Sequence, residues 1–224
     1  MAALELCGVA KRYRGKVVLR DVSMQAEAGT CTGLIGSNGS GKSTLLGILA
    51  GAIGADAGTF LWGGQDLLSL PDERRALVGY VPQGTPLYEE LSTLDNLRLW
   101  HGKDQLEQEL EDGVLKMLGV GEFLRVRVSR LSGGMKKRLS IGCAMARHPQ
   151  LLLLDEPSTA LDLACKEEII AYFRELRDNG CTLLLATHDL QEVEMCDQLF
   201  LLKDGTLAPC AYDGDAAKLA AYLR

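Results

Sequence analysis

Eight residues, Gly36-Ser37-Asn38-Gly39-Ser40-Gly41-Lys42-Ser43, restrict the folds open to this chain more than any other stretch. They fit the pattern G-x-x-x-x-G-K-[ST], in which glycines let consecutive backbone N–H groups curl around phosphate oxygens. The context agrees: Thr32-Gly33-Leu34-Ile35 reads as a short buried strand, and residues 43–50 read as a helix whose positive N-terminal end faces the anion. Lys42 would reach the outer phosphates. The Ser43 hydroxyl would ligate Mg²⁺, an ion that keeps several waters and binds largely through substrate phosphates. Whether a nucleotide is bound, transferred or hydrolysed, the motif alone leaves open.

The rest of the chain alternates strands with helices. Short β-rich segments dominate the beginning, at residues 4–9, 17–19, 32–35 and 59–62, separated by the turn-like Glu27-Ala28-Gly29 and Ala57-Gly58. A strand at 78–81 ends at Pro82. From about residue 88 to 148 the pattern turns helical: Thr93-Leu94-Asp95-Asn96-Leu97 looks like a capped helix start, and Leu106, Leu110, Val114 and Met117/Leu118 keep one apolar face through a Glu-rich stretch. This predicts an inserted helical lobe. Leu151-Leu152-Leu153-Leu154 is too continuously apolar for a half-exposed strand and reads as fully buried. A helix is predicted over 166–178, with Ile169, Phe173 and Leu176 on one face and Asn179-Gly180 as its stop. Further buried strands are predicted at 182–186 and 199–202, and a closing helix at 215–223. Such alternation predicts a mainly parallel sheet with helices packed on it.

Composition narrows the function classes. At 224 residues, 47% hydrophobic and 24% charged, the chain reads as an ordinary globular protein of one large domain or two small lobes. A net charge of −6 argues against a general binder of nucleic-acid backbones, which carries a basic footprint, so no nucleic acid partner is expected. Met1-Ala2-Ala3-Leu4-Glu5 shows neither the charged nor the apolar region of a secretory signal, which predicts a cytosolic location. The longest apolar stretch, residues 45–55, is too short for the roughly 20 residues that cross a bilayer, so any membrane spans would come from another chain. The seven cysteines lack C-x-x-C spacing, which indicates neither a zinc site nor a disulfide framework.

Two further motifs carry chemistry. Asp155-Glu156 follows the leucine strand, and parallel α/β sheets place ligands outside the carboxyl ends of their strands. Successive side chains on extended backbone point to different sides, so the two acids can take different jobs. Asp155 is expected to hold the Mg²⁺ shell. Glu156 is then free to polarise an attacking water as general base. Leu131-Ser132-Gly133-Gly134-Met135 is a second glycine-rich helix opening, with Ser132 a good N-cap and exposed N–H groups that make a candidate second anion site.

In this order, the glycine loop, Leu-Ser-Gly-Gly and Leu-Leu-Leu-Leu-Asp-Glu-Pro resemble the nucleotide-binding domains of ATP-binding cassette (ABC) transporters, over essentially residues 4–207. Tyr13 resembles the aromatic that stacks on adenine, and Gln83 the glutamine that senses Mg²⁺ and the γ-phosphate. Ser158-Thr159-Ala160-Leu161-Asp162 resembles the D-loop, and His188 the switch histidine. The resemblance implies a P-loop NTPase fold of α/β class with a mainly parallel core sheet, an N-terminal antiparallel β subdomain and an inserted helical subdomain. The core would span 1–87 and 149–224, and the helical part, with the signature motif, 88–148. It further implies that ATP is held by Tyr13, Gly36, Ser37, Asn38, Gly39, Ser40, Gly41, Lys42, Ser43, Thr44 and Gln83, with Ser132, Gly133 and Gly134 of another copy closing over it. Ser43, Gln83 and Asp155 would hold Mg²⁺; Glu156, His188 and Lys42 would act in hydrolysis. The implied partners are a second copy or a homologous ATPase subunit and a separate membrane permease, at the cytoplasmic face of the membrane. Met135 after Gly134, and Leu87-Tyr88-Glu89-Glu90-Leu91 after Gln83, look more like export-type subunits of the ABC-2 class. A cytosolic assembly ATPase of the same superfamily stands as the alternative.

Overall fold

The computed structural model describes residues 2–159 and 161–214. It opens with a long hairpin, β1 (Ala2–Tyr13) and β2 (Lys16–Glu27), closed at Arg14-Gly15, where both residues have positive φ as a tight two-residue turn demands. The chain then crosses to a second sheet with β3 (Cys31–Ile35), and the glycine loop delivers it into α1 (Lys42–Leu49). Strands β4 (Ala57–Trp62) and β5 (Gln65–Asp66) return to the hairpin, giving an antiparallel sheet of order β2-β1-β4-β5. Helix α2 (Pro71–Leu77) leads to β6 (Val78–Val81).

A strand-free stretch follows: α3 (Thr93–Arg98), α4 (Lys103–Glu111), α5 (Val114–Met117), two 3-10 turns at Val120–Phe123 and Val128–Arg130, and α6 (Gly133–Ala144). The rest alternates: β7 (Leu151–Asp155), α7 (Leu163–Asp178), β8 (Thr182–Ala186), α8 (Leu190–Glu194), β9 (Gln198–Lys203) and β10 (Thr206–Cys210). The second sheet has the order β10-β9-β3-β8-β7-β6, parallel from β9 to β6 with β10 antiparallel at the edge. This is the α/β class expected, with its parallel core, antiparallel N-terminal sheet and inserted helices.

The leucine runs are continuous because both faces of this sheet are covered. Leu151 and Leu153 pack with Leu45, Leu46 and Leu49 of α1 and with Leu4, Leu6 and Phe60 of the antiparallel sheet. Leu152 and Leu154 point the other way, to Ile169 and Phe173 of α7 and to Leu97, Leu115 and Leu139 of the helical stretch.

Several boundaries differ from the sequence reading. Both first strands run 12 residues rather than the shorter spans expected, because register shifts within the pairing break their alternation. The single apolar face expected through 106–118 is two helices: the chain breaks at Asp112-Gly113, so Leu115 and Leu118 are buried whereas Met117 is exposed. Helix α7 starts before 166, with Asp162 as N-cap accepting from the Cys165 N–H at 2.9 Å. Helices α2 and α8 and strands β5 and β10 were not expected at all. The closing helix expected at 215–223 lies outside the described residues.

Candidate functional site

Strand β3 ends at Ile35, and the next six residues must turn back without losing backbone donors. Gly36 admits no side chain: its φ is 155°, and a Cβ there would lie 2.4 Å from the Leu202 carbonyl oxygen. Gly41, with φ 112°, caps α1 in the left-handed region that glycine alone enters freely. Lys42, nearly buried on the first turn of α1, folds its Nζ back over the loop and donates to the carbonyls of Gly36 (2.7 Å) and Ser37 (3.3 Å). Burial lowers its pKa, while Glu156 and Asp155 pull it back up.

The two carboxylates at the end of β7 go to different sides, through a turn rather than by strand alternation: Asp155 ends the strand and Glu156 leaves it. The Asp155 carboxylate feels the Ser43 and Tyr80 hydroxyls nearby. Burial raises its pKa, opposed by Ser43 and by the nearby Lys42 and Lys137. Tyr80 is pushed up to about 12, first by burial and then by Asp155. Glu156 turns away from this group. Its φ of 47° ends the strand in left-handed backbone, and its N–H donates to Ala186 O at 2.9 Å. Its Oε2 accepts from Gln83 Nε2 at 2.9 Å and from Thr159 Oγ1 at 3.3 Å, and Oε1 sits 3.3 Å from His188 Nδ1.

These groups face one cleft of about 580 Å³, lined by Tyr13, Lys42, Ser43, Gln83, Glu156 and His188, together with Val18, Asn38, Gly39, Gly41, Thr44 and Thr159. Tyr13 is half exposed at the end of β1, with the Lys11 ammonium 5.4 Å from its ring centroid. Of the expected residues, Gln83 lies on Glu156 rather than beside Asp155 and Ser43. Ser37 and Ser40 face a neighbouring polar cavity with Asn38 and Gly39. Ser132, Gly133 and Gly134 do not line the cleft; Ser132 caps α6, its Oγ accepting from the Met135 N–H at 3.2 Å. In the D-loop stretch, Ser158, Thr159, Leu161 and Asp162 are described and Ala160 lies outside the described residues.

The donor set fits the expected ligands. Mg²⁺ favours hard oxygens and few protein ligands; the Ser43 hydroxyl lies close enough to the Asp155 carboxylate to lower its pKa, and among the described residues no cluster of three or more His, Cys, Asp or Glu could hold a metal unaided. The Ser40 hydroxyl is buried with no hydrogen-bond partner among the described residues, in a glycine loop of the kind that cradles phosphate oxygens.

Sequence reasoning placed Thr159 in the D-loop stretch without its bond to Glu156, and missed Tyr80 and Glu192. Glu192 is 1% exposed; its Oε1 accepts from the Ser158 N–H at 3.1 Å and its Oε2 from the Thr187 hydroxyl, so it braces the turn after Glu156 against the segment bearing His188. Burial raises its pKa against those two hydrogen bonds. An acid three residues past the N-cap Asp189 looks like an ordinary capping box, and only the fold turns it inward.

The sequence family described as ABC transporter matches residues 19–159. The Nod factor export ATP-binding protein I of Sinorhizobium fredii is 37% identical over 211 residues, covering 91% of this chain and 61% of that protein. The linearmycin resistance ATP-binding protein LnrL of Bacillus subtilis is 30% identical over 212 residues, covering 91% of this chain and 67% of its own length. The chain thus spans about three fifths to two thirds of the length of these relatives. Among solved structures, a dimeric ATP-binding cassette in a post-hydrolysis state, bound to ADP and phosphate, superposes with a TM-score of 0.84 at 28% identity, covering 95% of this chain and all of that one.

Proposed function

The chain belongs to the ABC transporter family as an ATP-binding, ATP-hydrolysing cassette, and from that premise we propose that it drives a separate membrane permease, in the export direction, by closing on ATP with a second copy of itself. The observation that carries the catalytic part is the setting of Glu156, a nearly buried carboxylate fixed at Oε2 by Gln83 and Thr159, on the wall of the cleft that holds Lys42.

The residues then divide the work. The loop N–H groups and Lys42 grip the β- and γ-phosphates, and Tyr13 stacks on the adenine. Ser43 and Asp155 would hold Mg²⁺, which would neutralise charge developing on the phosphates. Glu156 orients a water and takes its proton as the water oxygen bonds to the γ-phosphorus and the bond to the ADP oxygen breaks. Because Oε2 is occupied by two donors, Oε1 beside His188 is the oxygen that receives this proton. Lys42 and the Ser132 end of α6 from the second copy stabilise the transferring group.

The export direction is supported by the name of the Nod factor export relative and by Met135 in the signature helix. Among the described residues no helix is long and apolar enough to cross a membrane, which fits an energy subunit whose spans come from the permease. A groove of about 490 Å³ between the core and the helical stretch, lined by Tyr80, Pro86, Leu87, Trp100, Cys143 and Arg147, is the contact surface, with Tyr88 and Leu99 exposed nearby. We place the helical subdomain at 88–148, within a core of 1–87 and 149–224.

Phosphate release by the purified chain tests the chemistry. Glu156→Gln should keep the parent's affinity for a fluorescent ATP analogue and lose about 10²–10⁴-fold in turnover; undiminished turnover would mean that another group is the base.

A further inference from the structure

The basic run Lys136-Lys137-Arg138 divides by direction. Lys136 pairs with Glu89 at 2.8 Å and Arg138 with Glu168, both toward the surface. Lys137 turns inward and is 3% exposed, making no ion pair among the described residues. Its Nζ donates to the carbonyls of Pro82 and Gln83, each at 3.3 Å. Burial lowers its pKa, and the fields of Asp155 and Glu192 oppose that. A buried ammonium held by two carbonyls and no touching carboxylate is costly to maintain, so packing alone does not account for it.

The two carbonyls follow directly on β6, and the second belongs to the residue whose side chain holds Glu156. We propose that Lys137 is a positioning residue: it ties helix α6, whose first turn carries Ser132, Gly133 and Gly134, to the backbone of Gln83 and so sets where the Gln83 amide holds the Glu156 carboxylate. The contacts form a continuous line from α6 through Lys137 Nζ and Gln83 O to Gln83 Nε2 and Glu156 Oε2. Movement of α6 when a second copy engages Ser132 therefore reaches the base through one side chain. Apolar contact would pack the two segments together without holding the Gln83 carbonyl in register.

The inference rests on Glu156 acting as the base, and the experiment separates the two claims. Steady-state ATP hydrolysis is measured for the parent chain, Glu156→Gln, Lys137→Met, Lys137→Gln, Gln83→Ala and the double variant Lys137→Met/Gln83→Ala, with thermal melting as a check on folding. Methionine keeps the stem and removes the charge; glutamine keeps one donor and carries the test if the methionine variant fails to fold. Lys137→Met should lower kcat about ten- to a hundredfold with KM for ATP within about twofold of the parent, the pattern of a misplaced catalytic group. Lys137→Gln should recover part of that loss. Gln83→Ala should be as slow as the double variant, because the two residues act in series. Parent kcat in both Lys137 variants, or losses in the double variant that multiply, overturns the inference alone. A parent chain without ATPase activity, or a Glu156→Gln variant as fast as the parent, overturns the assignment of the site itself.

Discussion

At the scale of single residues, Glu156 occupies left-handed backbone, φ 47°, where a residue with a Cβ is held only at a cost of about 1–3 kcal/mol. The bond from its N–H to Ala186 and the three side chains around its carboxylate hold it there. That turn sends Glu156 to Gln83 and away from Asp155, which supports the proposed separation of metal holding from proton transfer. Tyr13, half exposed on the cleft wall with Lys11 near the ring, has the simpler role in the proposal. Tyr13→Ala should weaken ATP binding about tenfold, within the range that loss of a base–aromatic stack produces, and leave kcat at saturating ATP unchanged. A fluorescence titration beside a rate measurement decides this. An unchanged affinity would place the adenine elsewhere.

At the scale of elements, the parts legible in the sequence are those whose signal is local. The glycine loop, the leucine strands and the Asp155-Glu156 pair carry their chemistry within a few consecutive residues, and each sits where it was expected. What stayed hidden depends on distant partners. Glu109 lies on α4, yet its Oε2 accepts from the Val114 N–H at 2.8 Å and fills the space beside Gly113, which starts a new helix and changes the phase of the apolar face. Nothing in the local sequence marks Glu192 or Lys137 as buried, and the fold buries both. The hairpin strands were read too short because bulges interrupt their period of two. Gly58 marks how closely β1 and β4 approach: its φ is +97°, and a Cβ would lie 2.5 Å from Val9 Cα and 2.6 Å from Gly8 C, both backbone atoms. Gly58→Ala should therefore destabilise the fold by about 2 kcal/mol or more, lowering the melting temperature by about 4–8 °C for a chain of this size. A melting curve that matches the parent would mean that the antiparallel sheet tolerates a wider spacing there.

For the whole molecule, the cleft presents the phosphate loop and the base on one side, while the Ser132 end of α6 lies outside it. In the proposed pairing one chain carries two halves of different sites, and a head-to-tail dimer would complete both. The groove beside Trp100, which is 59% exposed, is the surface proposed for the permease contact. Trp100→Glu should leave hydrolysis by the isolated chain unchanged and shift the protein from the membrane fraction to the supernatant of cell lysates; retention on membranes would remove the groove from the permease contact. The pairing itself is tested most directly by the solution mass of the Glu156→Gln chain, measured by light scattering with and without ATP and Mg²⁺. A monomer without nucleotide that doubles its mass on adding both, and stays monomeric when Ser132→Arg is added to the same chain, is the outcome expected of a clamp closed by ATP. A Glu156→Gln chain that binds ATP and keeps its monomer mass would contradict it.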